Sequence, residues 1–259
     1  MFDWLFRKSS HAGLPNYKAL ERNQPGRVRC DFSDLEKSPE IDRLRTKFVT
    51  ELLGQPRRPK DDQPLLTSFV RDPTDFFTIT LPNSIHCLLS FSSPIRAAAY
   101  ARVHARGVRL KYLSSSSQKF AQLLGDLRRS GAIQNFAIDV CPHCLTFPAV
   151  QIEELITSAD ILKIWAIYKA GELARESLYF ARAQEAAERG DLQEAKEITL
   201  EAIQHITMES ARLHLLLGKI AISLNDKELL RDARTFLEFL HAEQTLRELQ
   251  TVEQSGNSG

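Results

Sequence analysis

In the middle of the chain the apolar positions switch between a period of two and a period near 3.6, the mark of strands alternating with helices. Residues 76–81 (FFTITL) and 84–91 (SIHCLLSF) are apolar runs split by Pro82-Asn83, which predicts two antiparallel strands joined by a turn. Ser93 is a good N-cap and Pro94 fits the first helical position, so a helix starts there. Ala97, Ala98, Ala101 and Ala105 give it a small face that can lie close on a sheet, and Gly107 ends it. Residues 108–113 alternate again, with Val108, Leu110 and Tyr112 on one side and Arg109 and Lys111 on the other. Serines at 114–117 supply caps for a helix carrying Phe120, Leu123, Leu124 and Leu127, which Gly131 closes, and residues 133–140 (IQNFAIDV) read as the last strand. The order β-β-α-β-α-β with right-handed crossovers predicts that the last three strands are parallel. The fold class is α+β or α/β: a small mixed sheet with packed helices.

The flanks follow other patterns. Residues 9–30 hold Gly13, Pro15, Pro25 and Gly26 with no sustained period and read as irregular chain. Ser38 and Pro39 then predict the start of a helix whose Ile41, Leu44, Phe48 and Leu52 form one stripe, with Gly54 at its end. Residues 55–64 (QPRRPKDDQP) are a linker. After Val150 no strand is expected, and helices are punctuated at Thr157-Ser158, Gly171, Gly190, Met208 and Asn225. The parsing is an N-terminal extension (1–63), an α/β domain (64–148), a helical module (149–250) and a disordered tail (251–259).

In the helical module, Ala183, Ala186, Gly190, Ala195 and Ala202 are small residues at regular spacing, and Gly218, Ala221 and Asn225 repeat the first half of that series 35 positions on. This spacing, with Gly190-Asp191-Leu192-Gln193-Glu194-Ala195 as the turn between helices, resembles the tetratricopeptide repeat over about residues 176–242. Tyr179 fits one of that family's large positions, whereas Leu229 and Phe236 are large where the repeat wants small residues. A plain stack of helical hairpins gives much the same pattern, because small residues are needed wherever helices cross closely.

Charge is unevenly spread. The formal net charge is +1, yet residues 64–148 hold 9 Lys and Arg against 4 Asp and Glu, and residues 149–259 hold 12 against 19. Such halves attract different partners or are simply solvated surfaces. No window approaches the roughly 18 apolar residues of a spanning helix, so no stable membrane insertion is expected. Met1 to Phe6 does not have the charge order of a secretion signal, and with four cysteines the expected compartment is the cytoplasm.

The sharpest chemical signal is Cys141-Pro142-His143-Cys144, directly after the last expected strand. Three readings compete. The run is similar to the active-site motif of thioredoxin-like oxidases, but strands should follow such a motif and Pro148 opposes an immediate helix. A zinc site would take Cys141 and Cys144 as thiolates, with further ligands from His143, Cys30 and one of His86 or Cys87, which alternation puts on opposite faces. The third reading is a tight turn closing the strand. Cys30 and Cys87 read as buried small residues.

Beyond the carboxyl ends of parallel strands is where ligands bind in such sheets. Ser92, Ser93, Ser114 and Ser115 arrive there, so the two helix starts are a candidate anion site, although capping alone also accounts for the serines. Arg102 and Arg106, one turn apart, with Arg96, Arg109, Lys111, Arg128 and Arg129, are a candidate face for phosphates or an acidic partner; no aromatic interleaving supports nucleic acid, and none is expected. The seven histidines are scattered and form no catalytic set.

The run Phe91-Ser92-Ser93-Pro94-Ile95-Arg96-Ala97 after an apolar strand resembles the strand-to-helix segment of bacterial proteins similar to the N-terminal domain of the enhanced serine sensitivity protein, across about residues 64–148. That resemblance implies a small α/β fold and carries over no catalytic residue; the Cys141–Cys144 run and the helical tail depart from it. The whole reads as a non-enzymatic adaptor that binds a protein partner and needs no cofactor. The alternative is a thiol-redox or zinc-binding protein using Cys141 and Cys144.

Overall fold

A computed structural model of the chain describes residues 6–8, 38–54, 66–72, 75–76, 78–81, 84–104, 111–139, 150–152, 156–207 and 209–256. They form β1 (Phe6–Lys8), α1 (Pro39–Gly54), β2 (Leu66–Asp72), β3 (Asp75–Phe76), β4 (Thr78–Leu81), β5 (Ile85–Phe91), α2 (Pro94–His104), β6 (Lys111–Ser115), α3 (Ser117–Arg129), β7 (Asn135–Ile138) and β8 (Val150–Gln151), then α4 (Ser158–Glu188), α5 (Leu192–His205), α6 (Ala211–Ser223), α7 (Lys227–Phe239) and α8 (Glu243–Gly256). Two compact units result: residues 1–12 with 44–171, and residues 13–43 with 172–259. None of the described helices is long and apolar enough to cross a membrane.

The first unit is a mixed sheet in the order β1-β6-β2-β5-β7-β8, with β3 on β2 and β4 on β5. The β4–β5 antiparallel pair is as expected, from Thr78 opposite Leu88 to Leu81 opposite Ile85. The expected single strand over 76–81 is instead divided between β3 and β4. A strand that the pattern did not reveal, β2, lies between β5 and β6 and is antiparallel to both. So β5, β6 and β7 do point the same way, but of these only β5 and β7 are neighbours, joined parallel from Cys87 opposite Asn135 to Ser90 opposite Ile138. The expectation that no strand follows Val150 is also corrected: β8 pairs antiparallel with β7. Two residues are too few to show a period.

This topology fixes where the helices lie. The crossover from β5 to β6 runs one way along the sheet and the crossover from β6 to β7 runs back. Two right-handed crossovers of opposite direction put their helices on opposite faces. Accordingly α2 meets the face of Phe91, whose ring lies 5.4 Å from that of Tyr100, while Ala97 and Ala101 are fully buried. On the other face Leu66, Leu88, Phe136 and Ile138 form one core with Phe120 and Leu124 of α3 and with Ile161 of α4. Ser93 caps α2 as expected, its hydroxyl accepting the Arg96 N–H at 3.2 Å. At α3 the cap is Ser116, because Ser114 and Ser115 belong to β6. Ser38 precedes α1, but its buried hydroxyl has no hydrogen-bond partner among the described residues.

The second unit holds a helical core of Tyr179, Ala183 and Ala186 from α4, Ala195, Ile198 and Ala202 from α5, Leu213, Leu217 and Ile220 from α6, and Leu229, Ala233 and Phe236 from α7. Gly171, expected to punctuate, lies inside α4 without interrupting it. Gly190 and Asn225 do sit between helices, with φ of 86° and 55°, and His241 repeats the device at 53°. Each turn makes the same two bonds: Gly190 N–H to Ala187 O and Asp191 N–H to Ala186 O, then Asn225 to Ile222 and Asp226 to Ala221, then His241 to Glu238 and Ala242 to Leu237. These are Schellman closures, which satisfy the last carbonyls of each helix and reverse the chain. Asp191 and Asp226 then cap the following helix.

α6 is the central helix, packed on α5, α7 and α8. It is buried at Leu213, His214, Leu216, Leu217, Gly218, Ile220 and Ala221. Gly218 lets Leu249 of α8 come close: a Cβ there would lie 2.7 Å from a Leu249 methyl unless that side chain shifted. Phe236 stacks on the His214 ring, the centroids 4.6 Å apart and the planes nearly parallel.

Candidate functional site

The carboxyl ends of β5 and β7 meet at one edge of the sheet, and the residues just beyond them form a polar group of Ser92, Arg96 and Asp139. The chain leaves β7 through Asp139, which takes a left-handed φ of 52°. Its N–H donates to Ser90 O at 2.9 Å. That conformation is uncommon outside glycine, although aspartate tolerates it better than most residues. It turns the carboxylate back over the edge, where Oδ1 accepts the Ser92 N–H at 2.7 Å and Oδ2 lies 3.6 Å from Arg96 Nη1. Only 9% of the Asp139 side chain and 11% of the Arg96 side chain are exposed. A protein carboxylate thus sits at the start of α2, where the helix dipole favours negative charge. The Ser92 hydroxyl is buried beside it with no hydrogen-bond partner among the described residues.

Hydroxyls continue across the strands. Ser68 and Ser90 meet at 3.0 Å, and Thr67 and Ser114 at 3.2 Å. Ser115, Ser116 and Ser117 are buried. Of the four serines read as an anion site, Ser92 and Ser93 stand at the start of α2, and Ser114 and Ser115 end β6, with β2 between them and β5. Asp139, which sequence reasoning did not single out, joins Ser92 and Arg96; its one visible signal is an acidic residue ending the apolar run NFAI. Arg102 lies in α2, while Arg106, Cys30, Cys141 and Cys144 lie outside the described residues.

Strand alternation places His86 and Cys87 as expected, His86 exposed and Cys87 fully buried. Burial pushes the Cys87 thiol up to about 12, so it is protonated at neutral pH and is not a nucleophile. Burial first, and the neighbouring Cys87 second, raise the hydroxyls of Tyr100 and Tyr168. Among the described residues no group of three or more His, Cys, Asp and Glu is placed to hold a metal ion.

In the helical unit several polar contacts join helices. The Glu176 carboxylate of α4 is buried and accepts from Ser210 Oγ at 2.5 Å and from Arg212 Nε at 2.7 Å. Arg212 also donates to Ser177 Oγ at 3.1 Å and covers the Phe180 ring. Lys196 of α5 meets Asp226 at 3.0 Å, Lys219 of α6 meets Glu248 of α8 at 2.6 Å, and Arg234 of α7 pairs with Glu253 of α8. The large apolar residues are turned inward: Leu224 is the exposed one among the described residues of this unit.

Comparison with protein-family models, with curated proteins and with solved structures finds no match to this chain.

Proposed function

We propose that the chain is a non-enzymatic adaptor whose helical unit binds a protein partner and whose α/β unit offers a second docking surface. The observation that supports this most is the packing of α5, α7 and α8 on the central α6, with α4 to α7 sharing one helical core. Helices stacked by repeated turns present continuous grooved surfaces suited to peptides or helices, as tetratricopeptide-like modules do. Because the apolar positions are spent on the internal core, recognition falls to charge. With 10 Lys and Arg against 16 Asp and Glu over residues 172–259, the partner segment that fits is basic. Arg102 and Arg106 belong to the basic α/β part and suit an acidic partner segment.

Selection of a random linear peptide library on the immobilised full chain tests this reading. Enrichment of basic peptides that compete with one another supports it; no enrichment over the bare support overturns it. The rival, a thiol-redox or zinc-binding protein acting through Cys141 and Cys144, is separated by metal analysis and thiol titration. Stoichiometric zinc, or disulfide turnover abolished by Cys141→Ser, would install the rival.

A further inference from the structure

We draw no further inference here: the strongest candidate, the Arg96–Asp139 pair with the buried Ser92 hydroxyl at the carboxyl edge of the sheet, is a helix start whose leading N–H the protein's own carboxylate already takes, and nothing else in the structure points to a ligand there.

Discussion

Asp139 holds the start of α2: its carboxylate takes the Ser92 N–H at 2.7 Å while its backbone, at a φ of 52°, ends β7. One residue thereby ties the ends of two adjacent parallel strands to a helix. Replacing Asp139 by Ala removes the acceptor and takes the carboxylate partner from a nearly buried Arg96, for a loss of about 2 kcal/mol or more. Asp139→Asn keeps an acceptor and a tolerated left-handed backbone, so it should lose less. Urea unfolding followed by a probe in the α/β unit measures both; equal losses would mean that the charge on Asp139 contributes nothing.

Two glycines should respond in opposite senses. Gly190 has a φ of 86°, a conformation that costs a β-branched residue about 1–2 kcal/mol, so Gly190→Val should lower stability by that amount. Gly171 lies within α4 with nothing within 4 Å of an added Cβ. Gly171→Ala should therefore stabilise by about 0.5–1 kcal/mol. Thermal unfolding of the two variants checks the signs.

The contact between Gly218 and Leu249 predicts a non-additive pair. A Cβ at 218 would meet two Leu249 methyls at 2.7 and 2.8 Å, so Gly218→Ala should cost about 1 kcal/mol as the buried Leu249 side chain is forced to shift. In a Leu249→Ala background the same change should be nearly neutral or favourable. A double-mutant cycle from denaturant unfolding gives the coupling directly.

Asp226 makes stability depend on acid. The backbone N–H of Leu229 holds its carboxyl below the ordinary 3.8, helped by Lys196, against the opposing effect of burial. A folded pKa below the unfolded one means that the contribution is complete above about pH 3.8 and disappears as pH falls through the lowered value. Asp226→Asn preserves the cap but not the ion pair. Its stability deficit should be constant from neutral pH to about pH 4 and should close below that. A deficit that widened on acidification would contradict the assignment.

The sequence disclosed what local chemistry decides. Ser93 with Pro94 marked the start of α2, Gly131, Gly190 and Asn225 marked helix ends, and alternation separated His86 from Cys87. β2 was hidden because Thr67 and Ser68 bury hydroxyls that bond across strands, so its run LTSFVRD lacks an apolar period. Gly171 suggests a break because glycine weakens helices, but the 31-residue α4 runs through it without interruption. Asp139 could not be foreseen as the anchor: its partner Ser92 is 47 residues away, and only the parallel pairing of β5 with β7 brings them together.

Whether the acidic helical unit receives a basic partner segment is decided by titrating the most enriched basic peptide into the full chain by calorimetry. The titration is run at about 0.05 M and about 0.5 M salt, with the wild type and with a Glu185→Lys, Glu197→Lys variant. Both glutamates are exposed on the first helical hairpin, so the fold should be undisturbed. We expect one peptide per chain, weaker binding at high salt, and a loss of at least about tenfold in the variant. An affinity indifferent to salt and to both charge reversals, in a variant that melts like the wild type, would contradict it.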